Sequence, residues 1–289
     1  GGSSAYSSQS GQATLTVTSV NDAPTVVSGT NVTLTNTDEN TVSSALLVSS
    51  LVSSAGWADV DTGALKGMAV TGKTGNGTWQ YSTDGSSWVA FGSVSATNAM
   101  LLSNTTQIRY LPDGRNGETA SMSFVAWDQT TGTASTNTLA AFANPGSGGG
   151  STAYSSGSAT ASMLVTSLND APTITDGATI TLTATDENTT SGTVSVSSLL
   201  GTAAWADVDS GALSGIAVKT ASGNGTWQYS TNGTSWTGFG AVSNSQALLL
   251  GANYQIRYVP DGLNGETVRL VPTARTVSAF FRYSAIGRG

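Results

Sequence analysis

The sequence predicts an all-β protein of β-sandwiches repeated in a linear array, and three observations carry that reading. The fourteen residues "GNGTWQYSTDGSSW" at 75–88 return as "GNGTWQYSTNGTSW" at 223–236, so one structural unit is written twice. Short segments alternate apolar and polar residues between Gly, Asn, Asp and Pro, which gives strands one buried and one wet face. No segment sustains a 3.6-residue period with caps. At 289 residues the chain is long enough for two domains with cores of their own.

Each element follows from its residues. "ATLTVTSV" (13–20), "NVTLTNT" (31–37), "GMAVTG" (67–72), "TQIRYLP" (106–112) and "ASMSFVAWD" (120–128) alternate and read as strands. "SSALLVSSLVSS" (43–54) is ambiguous between strand and helix. "TWQYS" and "SSWVAF" flank "TDGS", a hairpin that Gly85 can close by taking a positive φ. Trp79 and Tyr81, two residues apart, face one side, and Trp88 is expected to meet that face from the partner strand. Residues 129–158, small and polar, read as a long flexible excursion before a closing strand. The unit is thus a sandwich of roughly seven to nine strands.

Aligning the chain with itself divides it. "VNDAPT" (20–25), "TDEN" (37–40) and "WADVDTGAL" (57–65) recur at a constant offset of 148 residues, as from Asp22 to Asp170. Residues 1–20 match 149–168 and are expected to be the last strand of a preceding repeat. Residues 21–168 form repeat 1 and residues 169–267 an incomplete repeat 2. After "DGLNGET" the register fails, and the divergent tail 268–289 carries Arg269, Arg275, Arg282 and Arg288, as a frameshift, a mis-assembled gene end or a deliberate terminus would. The opening "GGSSAYSS", without an initiator Met, reads as part of something longer.

Composition bounds the chemistry. Charged residues are 9%, the net charge is −7, and there is neither His nor Cys, which removes imidazole bases, thiol nucleophiles, disulfides and structural zinc. The acidic balance argues against nucleic acid, whose phosphates call for a basic face. No apolar run approaches the about 18 residues of a membrane span. Of seventeen acidic residues, fourteen occupy seven positions repeated in both units: Asp22/Asp170, Asp38/Asp186, Glu39/Glu187, Asp59/Asp207, Asp61/Asp209, Asp113/Asp261 and Glu118/Glu266. Few charges, concentrated in this way, look like ligands for calcium, which takes about six to eight carboxylate and carbonyl oxygens. The bland alternative is that the Asp and Asn of "NDAP" and "DVD" form Asx-turns.

The order "TDEN", "ADVD", "VAWD", strand, "NDAP" resembles the cadherin pattern, and "GNGTWQYSTDGSSW…IRYLPDG…GET…FVAWDQT" resembles the cadherin-like repeats of large secreted bacterial surface adhesins, over nearly the whole chain to about residue 267. The resemblance implies tandem Ig-like/cadherin-like β-sandwiches with Ca2+ between successive repeats. It would place Asn169 and Asp170 in the linker, Glu39 at the base of the first repeat, and Asp207 and Asp209 at the top of the second, with Glu187 repeating Glu39. The corresponding half-site at the start would use Asn21, Asp22, Asp59, Asp61 and Asp128. The family's middle Asp-Arg-Glu cluster is missing, and the second repeat has lost its equivalent of Asp128, so fewer or weaker ions are expected. The implied function is a structural spacer or adhesion repeat, outside the cell or on the bacterial surface. Its partners would be neighbouring repeats of the same polypeptide and, at a binding tip, host or matrix glycans or proteins.

Two other readings compete. Trp79, Tyr81, Trp88 and Trp127 could stack on sugar rings as a glycan-binding module, although large aromatics that recur in every unit more commonly build cores. "DTG" (61–63) and "DSG" (209–211) match the once-per-lobe tripeptide of aspartic proteases, whose two carboxylates share one proton. Asp61, however, follows "GWADV" with a second acid two residues away rather than an apolar run, and Asp-Thr-Gly is a common turn, so no enzyme activity is expected.

Overall fold

The computed structural model describes residues 2–178 and 180–276. It is mostly β with two short helices and clusters into two compact units, the first built from residues up to Gly114 and Glu118–Thr166, the second from Arg115–Gly117 and from Ser167 onward.

The first unit holds β1 (Asn31–Thr33), β2 (Thr37–Asp38), β3 (Leu46–Leu47), α1 (Val48–Ser54), β4 (Gly67–Thr74), β5 (Thr78–Ser82), β6 (Val89–Ala90), β7 (Ala99–Leu102), β8 (Gln107–Leu111), β9 (Glu118–Trp127), β10 (Phe142–Ala143) and β11 (Tyr154–Thr166). One sheet runs β1-β11-β9-β4-β7-β10, with β2 also on β11, and a second runs β3-β8-β5-β6. Strand alternation decides what lies between them. Met68, Val70, Met100, Leu102, Met122, Phe124 and Met163 from the first sheet share a core with Trp79, Tyr81, Ile108 and Tyr110 from the second. Each such side chain contributes about 1.5–3 kcal/mol by leaving water.

The ambiguous segment 43–54 resolves into both alternatives: Leu46–Leu47 pairs with β8, and the chain then turns into α1, which buries Val48, Leu51 and Val52. That i, i+3, i+4 stripe fits a single short helix lying on a core. The strand expected over 31–37 divides into β1 and β2, both parallel to β11.

The hairpin forms with Gly85 at φ 74°, and Tyr81 pairs with Val89. That register corrects the place of Trp88. Cross-strand partners share a face, so Phe91, whose N–H donates to Trp79 O, meets Trp79 and Tyr81, at ring distances of 6.3 and 6.2 Å. Trp88 falls on the opposite face under the Arg109 guanidinium, 4.0 Å from its ring centre.

Residues 2–20, expected as the last strand of a preceding repeat, carry no strand among the described residues, and Leu15 and Val17 are 89% and 84% exposed. A strand without a neighbour has nothing to take its N–H and C=O groups, and no ladder partner for this segment occurs among the described residues. The flexible excursion is instead a hydrogen-bonded cover. Ser135 N donates to Leu101 O, Leu101 N to Ala141 O, Tyr81 Oη to Thr136 O and Trp127 Nε1 to Thr131 O. Beneath it Leu101, Trp127 and Ala153 form a second apolar cluster.

The second unit repeats the plan with β12 (Val194–Ser195), α2 (Val196–Thr202), β13 (Ser214–Ser222), β14 (Thr226–Ser230), β15 (Thr237–Gly238), β16 (Leu248–Gly251), β17 (Gln255–Val259) and β18 (Arg269–Thr276), in sheets β16-β13-β18 and β12-β17-β14-β15. The part of the divergent tail that is described, β18, takes the place of β9. Gly215 pairs with Arg275 as Gly67 pairs with Trp127, and the bulge between Val70 and Gly72 recurs between Val218 and Thr220. The rest of the tail, 277–289, lies outside the described residues.

Candidate metal centre

The first unit brings Asn21, Asp22, Asp59, Asp61 and Asp128 together by hydrogen bonds. The isolated bridge between Thr25 and Ala58 sets the segment after Asp22 against the segment before Asp59. Asp22 N donates to Asp61 Oδ2 at 2.8 Å, and Asp61 N donates to Asp59 Oδ1 at 2.9 Å. Asn21 Nδ2 donates to Asp128 Oδ2 at 2.9 Å and to Thr152 O at 3.2 Å. Asp128, at the end of β9 and buried, accepts the N–H and the hydroxyl of Thr130 on its other oxygen. Gln129 adopts φ 68°, a left-handed conformation that is costly outside glycine and that turns the chain back within two residues so that Thr130 can reach Asp128.

These bonds leave negative charge over. Asp59 Oδ2 is buried and accepts no hydrogen bond, and no cationic side chain pairs with Asp22, Asp59, Asp61 or Asp128 among the described residues. A carboxylate oxygen buried without a donor is costly, whereas a hard divalent cation is the partner such an oxygen takes. The donor chemistry is the kind calcium takes, all-oxygen and anionic on short loops, beside a shallow concavity lined by Asn21, Asp61, Asp128 and Thr130. The Asx-turn reading is also realised, because Asp59 Oδ1 and Asp128 Oδ1 each accept the N–H two residues on. The same side chains use one oxygen for the turn.

The second unit repeats part of this. Asp170 N donates to Asp209 Oδ2 and Asp209 N to Asp207 Oδ1, at 2.8 and 3.0 Å, and Asn169 Nδ2 donates to Asp170 O. Asp170 Oδ2 is buried without a donor. Thr276 stands where Asp128 stands in the first unit, and its hydroxyl donates to Asp207 Oδ2. A neutral donor thus replaces an anionic acceptor, which makes this set poorer in charge. Thr130, Thr152 and Thr276 are participants that motif reading missed. The Asp-x-Thr spacing of Asp128 and Thr130, and the offset of 148 residues that carries Asp128 onto Thr276, could have signalled two of them.

Glu39 follows β2, its N–H donating to Thr166 O, and Glu187 occupies the same turn of the second unit, half-buried. Two more of the repeated pairs are bound up locally. Asp38 Oδ1 accepts Asn40 N and Oδ2 the Thr41 hydroxyl, as Asp186 does with Asn188 and Thr189. The Thr189 hydroxyl, then the Asn188 N–H, hold the Asp186 carboxyl below the usual carboxylate range. Glu118 accepts the Tyr110 hydroxyl and Asn76 N, as Glu266 does with Tyr258 and Asn224.

Compared with known proteins, the chain matches no family model and no curated relative. The aromatics offered for glycan stacking are mostly consumed by the fold: Trp79, Tyr81 and Trp127 are buried, and Trp88 lies under Arg109. Asp61 of the Asp-Thr-Gly tripeptide sits in a turn, with Ala64 N donating to its carbonyl and Asp22 N to its carboxylate.

Proposed function

We propose that the chain is a calcium-binding spacer of a secreted or surface-attached bacterial adhesin, built of tandem Ig-like/cadherin-like repeats. The reading is supported by one observation above all, the set Asn21, Asp22, Asp59, Asp61 and Asp128, with a buried carboxylate oxygen that no donor reaches. The resemblance supplies the role: ions where repeats meet remove hinge freedom, so that a succession of repeats extends a binding tip from the cell. Without calcium the clustered carboxylates repel one another and are desolvated at a cost. In this reading the chain catalyses nothing, and its partners are neighbouring repeats and, through the tip, glycans or proteins of a host or matrix.

Calorimetric titration of the full chain with calcium, with thermal melting in parallel, tests this. Binding in the micromolar to millimolar range is expected. Calcium at about 100 times its Kd adds about 2.7 kcal/mol to the unit that holds it, and chelation reverses the gain. Asp59→Ala/Asp61→Ala removes the first-unit response, and Asp207→Ala/Asp209→Ala removes what remains. Absence of both heat and melting shift reduces the clusters to turn chemistry and overturns the proposal.

A further inference from the structure

The outer face of the hairpin sheet carries a guanidinium that the fold orients and leaves unpaired. β8, between β3 and β5 in its sheet, holds Arg109, whose Nε donates to Gln80 Oε1 at 2.8 Å. The guanidinium rests on Trp88, 4.0 Å from the ring centre, a cation–π contact. One edge and one face of it are therefore committed. A guanidinium has five N–H donors and no acceptor, and those on the two Nη atoms reach no acceptor among the described residues. Nor does any carboxylate pair with Arg109 among the described residues, in a chain with 17 acidic side chains to 10 basic ones.

The same bond orients Gln80. Because Arg109 only donates, the amide must turn its Oε1 to it, and Nε2 then faces away with two N–H groups that meet no acceptor among the described residues. Directly across the hairpin Gln80 meets Ala90, whose side chain is too short to cover it. Arg109, Gln80 and Trp88 are each half-buried, held by the sheet and still open to solvent. The second unit builds the same group from its own residues. Arg257 Nε donates to Gln228 Oε1 at 2.8 Å, its guanidinium lies 4.1 Å from the centre of Trp236, and Gln228 meets Gly238 across the hairpin. Ordering an arginine side chain costs rotamer freedom, and here the fold orders it before any partner arrives, which is preorganisation for binding.

The chemistry of the group narrows the partner. A planar fork of paired Nη donors matches a carboxylate. Main-chain recognition is closed at this place, since β8 and β5 are both flanked by strands in β3-β8-β5-β6, so a partner is read by side chains alone. The guanidinium occupies the Trp88 face, so that reading is by donors rather than by stacking on the indole. The net charge of −7 disfavours nucleic acid and other polyanions. A single uronic acid residue in an otherwise neutral glycan suits the set. Its carboxylate takes the fork, and its hydroxyl and ring oxygens, fixed on one rigid ring, take the amide donors at little cost in ordering. We propose that Arg109, Gln80 and Trp88, and their repeat Arg257, Gln228 and Trp236, each form a binding site for a uronic acid residue of a polysaccharide. The spacer then has a ligand of its own, held without calcium.

Two-dimensional NMR of the arginine Nε–H groups in the full chain, with a chelator present so that the outcome is independent of calcium, tests the proposal. Methyl glucuronide is the probe; methyl glucoside, which lacks the carboxylate, and acetate, which lacks the ring, are the controls. Methyl glucuronide is expected to move the Arg109 and Arg257 resonances to saturation with a millimolar Kd, and either control to act at least about tenfold more weakly. Arg109→Lys keeps the charge and loses the fork, so the Trp88 indole N–H no longer responds. Gln80→Glu sets a carboxylate against Arg109 and weakens its response at least about tenfold. In both variants Arg257 still responds as in the parent, which shows that the second unit is intact. Equal shifts from acetate mean an adventitious ion only, equal shifts from methyl glucoside mean that the carboxylate is not read, and no shift in the parent means that the group merely braces the sheet. Each of these overturns the proposal, as does an Arg109→Lys variant whose Trp88 indole N–H responds as in the parent.

Discussion

Asp84 organises the 83–86 turn with one oxygen, which accepts the N–H groups of Ser86 and Ser87 at 2.8 and 2.7 Å and the Ser82 hydroxyl at 3.0 Å. The Ser87 N–H, then that of Ser86, hold its carboxyl well below the usual carboxylate range. The second unit does the same with Asn232, whose Oδ1 accepts Thr234 N and Ser235 N at 3.0 and 2.8 Å. The acceptor is what the two units share, and in the first unit its charge strengthens the same bonds. At neutral pH Asp84→Asn is expected to lower the melting temperature slightly and Asp84→Ala to lower it further, as a thermal scan of the two variants reads directly. Tyr258 behaves in the opposite sense. Burial, then the hydrogen bond to Glu266, push its hydroxyl up to about 12, against about 10 for a free tyrosine. A raised folded value means that the neutral hydroxyl stabilises the second unit fully below pH about 10, and that this contribution is lost as the pH rises through about 12. Melting followed from pH 9 to 12 should show that loss in the parent and a flatter profile in Tyr258→Phe. The variant also starts lower at neutral pH, because Gly225 N has lost its 2.6 Å acceptor.

At the scale of elements, β9 and β18 show what a strand position requires. Their residues differ almost everywhere, yet they pair in the same register with the same bulge, because Leu270, Pro272 and Ala274 keep the inward alternation of Met122, Phe124 and Ala126. The cover over β7 shows the converse, an element with no pattern that is nevertheless ordered. Serine, threonine and glycine in 129–153 offer no apolar period, so the sequence could not distinguish a cover from a linker; what holds it is backbone hydrogen bonding and the apolar ring of Leu101, Trp127 and Ala153. The cover has a measurable worth. Leu101 is 1% exposed beneath it, whereas Leu249, its counterpart in the second unit, is 52% exposed. Leu101→Ala should cost the first unit about 2–4 kcal/mol, and Leu249→Ala should cost the second less than about 0.5 kcal/mol. Urea denaturation of the two variants decides it.

For the whole molecule, what was legible is what a constant offset and strand alternation can carry: two units, their matching strands, the hairpin and its glycine. Of the first-unit set that the resemblance implies, Asn21 and Asp128 meet through their side chains, while Asp22 and Asp61 enter through main-chain N–H groups that donate to Asp61 and Asp59. The face of Trp88 was not legible, because parity is fixed by register and register by where the turn begins. Nor was the part that Thr276 plays, since the offset of 148 residues carries Asp128 onto a stretch whose residues no longer match, and only the hydrogen bond to Asp207 shows the threonine in use.

Trp127 has a use beyond packing. Three tryptophans of the first unit, Trp57, Trp79 and Trp88, have counterparts in Trp205, Trp227 and Trp236, but the residue that pairs with Gly215 as Trp127 pairs with Gly67 is Arg275. The indole of Trp127 is buried, with its N–H fixed on Thr131 O. It is therefore an optical label present in one half of a nearly duplicated molecule, and the difference in fluorescence between the parent and Trp127→Phe reports the first unit in isolation while the second is free to do something else.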